Sequence, residues 1–148
     1  AQRDGKGNNG MFCGAAIELP DGTVVTGKNS PLMHAASSLV LNAVKHLAGI
    51  PDKLHLLSPN IIESVTKLKK DILSARTISL DLDEALIALT ISATTNATSQ
   101  AALEKLTELK GCEVHMTHMP TSGDEAGLKC LGINLTTDPV LAAGSVCD

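Results

Sequence analysis

Lys28, Asn29, His34 and Ser37 share one polar stretch, Gly27 to Ser38, that runs from a predicted hairpin into an apolar helix. Lysine brings a cation, asparagine and serine donate and accept hydrogen bonds, and histidine titrates near neutral pH, so the set could seat an anion or move a proton. A helix start adds to this, because its first backbone N–H groups have no partner inside the helix and point outward. Two further predicted starts carry similar groups, Ser58 with Asn60 and Thr121 with Ser122. Gathered at one edge of a sheet, where open α/β folds bind ligands, these residues would suit a phosphate or nucleotide-like anion. The same groups support an enzymatic alternative, with His34 or His118 as general base and Ser37, Ser58 or Thr121 orienting substrate. Cys13, among Met11, Phe12 and Ile17, reads as a small core residue rather than a nucleophile.

The elements that must position these residues follow from periodicity and punctuation. Met11–Leu19 and Thr23–Thr26 read as strands joined by Pro20-Asp21-Gly22, a hairpin turn. From Ser37 to Ala48 apolar residues cover most of a helix, leaving Asn42, Lys45 and His46 for solvent, and Gly49 and Pro51 end it. Leu54–Leu57 reads as a short strand leading into a helix at Ser58-Pro59, with Ile61, Ile62, Val65, Leu68, Ile72 and Leu73 as its stripe. Asp81-Leu82-Asp83-Glu84 resembles a capping box ahead of a helix over 85–94, and a further helix closes at Gly111. Cys112–Met119 is a strand, on which His115 and His118 would face opposite ways; a short helix to Leu131 and a last strand, Ile133–Thr137, follow. The order predicts an α/β three-layer sandwich: a mixed sheet of about five strands with helices on both faces. Residues 1–10 form a linker from an N-terminal region, 11–137 a single domain and 138–148 a tail.

Composition narrows the classes. With 148 residues, 43% hydrophobic and 19% charged, the chain fits one globular domain, and no apolar run is long enough to span a membrane. A net charge of -4, a single Phe and no Trp or Tyr remove the basic face and stacking platform of a nucleic-acid binder. Cys13, Cys112, Cys130 and Cys147 are scattered without a C-x-x-C pair, which points away from a zinc knuckle or a disulfide framework and fits a reducing cytoplasm. Gly5 to Gly10 spells G-x-G-x-x-G but precedes a strand instead of following one, so it reads as linker.

The element order is similar to the cytidine-deaminase-like fold, whose zinc enzymes place His-Ala-Glu after the hairpin and Pro-Cys-x-x-Cys at the next helix. Here His34-Ala35-Ala36 and Pro59-Asn60-Ile61-Ile62-Glu63 stand in those places. The resemblance implies a fold without its zinc site: Ala36 replaces the proton-shuttling carboxylate, and Asn60 and Glu63 replace the thiolates.

A longer resemblance runs through Gly10–Leu19, Thr26-Gly27-Lys28, Met33–Ser38, Leu41–Lys45, Asp83–Leu89 and Lys110–His115. In these segments the chain resembles the C-terminal domain of the bacterial domain-of-unknown-function family 1846, whose members look about three times longer. The resemblance implies a C-terminal module and carries no established activity. The expected function is a non-catalytic module serving assembly, with a pocket for a small anionic or nucleotide-like ligand; the alternatives are a hydrolase or transferase with a histidine base, and a purely structural oligomerisation domain. Expected partners are its own N-terminal domain and further copies of itself, with no nucleic acid, membrane, metal or cofactor.

Overall fold

Pro20, Asp21 and Gly22 make the expected turn: Thr23 N donates to Asp21 Oδ1 at 2.9 Å, and Gly22 sits at φ 86°, a conformation that strains any side chain. The turn joins β1 (Gly14–Glu18) to β2 (Val24–Lys28) as an antiparallel pair. β3 (Glu113–Met116) lies antiparallel to β1 on its other side, and β4 (Asn134–Thr137) runs parallel to β3. The sheet is therefore mixed and four-stranded, in the order β2-β1-β3-β4. It comes from a computed structural model in which residues 12–73 and 78–139 are described. The expected linker and almost all of the expected tail lie outside those residues, although Asp138 N still donates to Met116 O at 3.0 Å.

Strand alternation decides the layering. Ala15, Ile17, Val114 and Met116 are buried, whereas Glu18, Glu113, His115, Asn134 and Thr136 on the other face are exposed. The α/β class is as expected, but among the described residues there are four strands rather than about five, and the described helices gather on one face rather than two. The open face is polar and self-satisfying: His115 Nδ1 lies 2.8 Å from Thr136 Oγ1, and Asn134 Nδ2 donates to Glu113 Oε1 at 3.2 Å.

α1 (Ala35–Ala48) crosses the hairpin at Gly27, where a Cβ would collide with the Leu39 backbone and come within 2.8 Å of Ala35 O. Glycine is what lets the helix backbone touch the strand. Leu39, Val40 and Val44 of α1 then join Ile17, Val114 and Met116 in a single core. The helix begins earlier than Ser37: His34 is its N-cap, and Ser37 is a buried residue of its first turn. Lys45, expected in solvent, is buried as well. At the other end Gly49, at φ 69°, makes the expected C-cap.

Leu54–Leu57 forms no strand. Leu56 and Leu57 are buried, but side chains take up the main-chain groups of this segment: Ser99 Oγ donates to Leu56 O at 2.6 Å, and Ser58 N donates to Ser92 Oγ at 3.0 Å. α2 (Pro59–Lys67) follows, with proline at its start, and passes into a π-helical turn at Leu68–Ile72. α3 (Leu82–Ala93) has the expected capping box between Asp81 and Glu84. α4 (Ala97–Glu104) is capped by Asn96 and tightens into a 3-10 turn at Lys105–Leu109. α5 (Ser122–Cys130) crosses from β3 to β4.

Two smaller expectations change. β3 stops at Met116, so His118 lies beyond it, its Nδ1 2.9 Å from Thr117 Oγ1, and shares no strand with His115. Cys13 is disulfide-bonded, which departs from the reading of the cysteines as reduced. Cys112 and Cys130 are free, and burial pushes the Cys112 thiol up from its ordinary value. Among the described residues no helix is long and apolar enough to cross a membrane.

Candidate functional site

Three helix starts do meet, but α3 takes the place expected for α2. His34, the N-cap of α1, points its Nδ1 at Asp124 Oδ2 across 2.8 Å, and Asp124 stands in the first turn of α5. The second oxygen of Asp124 accepts from Leu82 N, the first residue of α3, at 2.9 Å. One fully buried carboxylate thus ties three helices, and its own N–H is capped by Thr121 Oγ1 at 3.2 Å. Close approach is a property of α5. A Cβ on Gly123 would lie 2.6 Å from the Asp81 carboxyl carbon, and one on Gly127 would lie 2.7 Å from Leu82 Cγ. Burial pushes the Asp81 carboxyl above its ordinary 3.8, with the charges of Glu84 and Asp124 adding to it; the bond from Glu84 N and the nearness of His34 pull the other way.

With a neutral imidazole donating Nδ1–H to Asp124, His34 Nε2 would be an acceptor, the orientation a histidine base needs. That nitrogen is sealed, however, and among the described residues it has no hydrogen-bond partner. Ser37 cannot orient a substrate beside it, since its hydroxyl donates to Leu80 O at 2.9 Å. Asn29 is equally internal: its Oδ1 accepts from Cys13 N at 2.9 Å and pins the hairpin. Ser58 makes no side-chain cap, while Asn60 and Ser122 are exposed. Glu63, which the deaminase resemblance would set at the second thiolate position, is exposed too, whereas His34 is buried against Asp124. Among the described residues no three His, Cys, Asp or Glu side chains are grouped to hold a metal.

An open pocket of about 440 Å³ lies elsewhere, along the flank of α1. Its polar lining is Thr26 and Lys28 of β2, Ser38, Asn42 and Lys45 of α1, and His55 from the segment before α2. Its apolar lining is Leu32, Met33, Leu41, Leu56, Leu57 and Ile62. The α1 residues follow helical spacing, so one stripe of that helix forms a wall. Asn42 Nδ2 donates to Thr26 O at 3.0 Å and ties this wall to β2. Of the residues singled out from sequence only Lys28 lines the pocket. Lys45 and His55 were missed because a lysine among Val44, Leu47 and other apolar neighbours reads as the helix's wet side, and His55 sat in what looked like a strand.

A mixed sheet with helices stacked on one face, a three-helix tie and a flank pocket define an α/β domain of modest size. A family model described as "Domain of unknown function DUF1846, C-terminal" matches residues 1–146, and the chain belongs to that family. It is 50% identical over 124 residues to a UPF0371 protein of Clostridioides difficile strain 630, covering 84% of this chain and 25% of that protein. It is 47% identical over 131 residues to a UPF0371 protein of Corynebacterium aurimucosum, and 44% identical over 131 residues to one of Clostridium tetani; each match covers 88% of this chain and 26% of the relative. The matched part is therefore about a quarter of the length of these bacterial relatives.

Proposed function

We propose that this domain is a non-catalytic module of a longer protein, which holds a small anion in the flank pocket and helps the parent protein assemble. The observation that carries the first half is Lys45. Its side chain is buried in the pocket wall, its ammonium donates to Asp52 O at 3.0 Å, and no ion pair among the described residues includes it. A cation removed from water without a counter-charge favours an arriving anion. Lys28 and His55 also line the pocket, and among the described residues no carboxylate does.

Calorimetry with inorganic phosphate and phosphorylated metabolites tests this. Binding is expected, weakened at least about tenfold in Lys45→Met, a change that costs the fold about 1 kcal/mol through the lost bond to Asp52 O. No heat from any anion, or binding indifferent to Lys45→Met, overturns it.

Support for assembly comes from α2, in which no residue is buried, and from the apolar side chains exposed beside it: Leu68, Ile72 and Leu73, with Ile87 and Ile91 on α3. The part of the longer relatives outside the match is the partner that would cover this flank. Catalysis at His34 is the second reading. The Asp124–His34 geometry favours it, but Nε2 is closed to solvent and His34 is not among the pocket residues.

A further inference from the structure

The pocket is lined by two chemical kinds of residue, and the apolar kind is aliphatic throughout. Leu41, Leu56 and Leu57 are buried, Ile62 and Met33 are half-buried, and Leu32 at the rim is 54% exposed. Among the described residues no aromatic ring lines the pocket to stack on a base, and no carboxylate lines it to receive ribose hydroxyls. A nucleotide would leave its base and sugar without matching partners there. A free inorganic anion would satisfy Lys45 and leave the aliphatic wall wet. Both kinds of lining are used by one class of molecule, an anionic head carrying a saturated hydrocarbon chain. From this pairing we infer that the ligand is an amphipathic anion, an alkyl or acyl chain ending in a phosphate or carboxylate, with the head toward Lys45 and the chain against the aliphatic lining. The volume of about 440 Å³ lies within the range of pockets that enclose small organic ligands. This rests on the anion reading above and adds the chain to it.

The direction of the effect follows from hydrophobic transfer. Each methylene taken out of water against an aliphatic wall tightens binding about three- to fourfold, until the chain outgrows the pocket. The exposed rim residue Leu32 then acts as a cover that gains by binding, because its own side chain leaves water together with the chain.

The test is calorimetric titration of the 148-residue chain with inorganic phosphate, butyl, hexyl and octyl phosphate, and octanoate, all below micelle formation, with octyltrimethylammonium as the cationic control. The expected result is a stepwise gain from phosphate to octyl phosphate, measurable binding of octanoate, and none of the cation. Leu32→Ser should weaken octyl phosphate several-fold while leaving inorganic phosphate unchanged, and its exposure makes the fold insensitive to the change. Preference for octyl phosphate over octanoate, or the reverse, separates a phosphate from a carboxylate head. Equal affinity for phosphate and all alkyl phosphates overturns the chain while leaving the anion reading intact. Binding of the cation as well as the anions overturns the head-group assignment. Silence from every compound overturns both readings together.

Discussion

At the start of α5, Asp124 has both carboxylate oxygens engaged and is wholly buried; at the start of α2, Ser58 caps nothing with its side chain, and no residue of the helix is buried. Both helices carry a hydroxyl residue at the N-cap and an apolar stripe, so local propensity does not separate them. What separates them is tertiary company. Asp124 finds an imidazole and a second helix's N–H, and Gly123 and Gly127 let the backbones close around those bonds. α2 leans on its neighbours through Ile61, Ile62 and Val65, all half-buried, and gives way to a π-helical turn. The first arrangement makes a rigid tie. The second leaves a flank that a ligand on one side and a partner surface on the other can reach.

If that contrast is right, the largest loss of stability comes from cutting the tie. Asp124→Ala leaves His34 and Leu82 N buried without their acceptor, and chemical denaturation is expected to show a loss of about 3–5 kcal/mol. A loss under about 1 kcal/mol would mean that the tie is no more rigid than the flank.

A smaller effect of opposite sign tests the strain inside the tie. Burial holds the Asp81 pKa above 3.8, so the folded state takes up its proton more readily than the unfolded chain. Asp81 therefore stabilises the fold most fully below its unfolded pKa, and this contribution is lost as the pH rises through the folded pKa. Asp81→Asn keeps a capping oxygen and removes the charge. Melting curves across acidic to neutral pH should show the variant gaining on the parent as pH rises, and a pH-independent gap would remove the electrostatic account.

The smallest effect belongs to the flank. Ile72 is 73% exposed, and Ile72→Ser is expected to change stability by no more than about 0.5 kcal/mol. A loss of several times that would show that the flank is packed into this domain's own fold as firmly as the tie.

Much of the fold was legible because its signals are local. Asp21-Gly22 specified the hairpin turn, Asp81 with Glu84 the capping box, and Gly49 the end of α1, each by bonds that span a few residues. The failures are places where a distant side chain replaced a local partner. Leu54–Leu57 has the composition of a strand, yet Ser92 and Ser99, from two other helices, satisfy its neighbourhood and no ladder is needed. Lys45 has the composition of a solvent-facing helix residue, yet the segment carrying Asp52 folds over it.

The candidate site divides in the same way. Sequence singled out His34 and Lys28 from residue chemistry beside a helix start; His34 meets Asp124, and Lys28 lines the flank pocket together with Lys45. Asp124 is remote in the chain and Lys45 looked wet, and no spacing rule joins them to the loop. The sequence by itself determined the elements, their ends and the polar character of the β2–α1 loop, since these follow from backbone propensity and from bonds between near neighbours. Only the tertiary structure decided that His34 is sealed and that the pocket opens along the side of α1 instead of at its start, because burial depends on which distant surfaces come to rest against a residue.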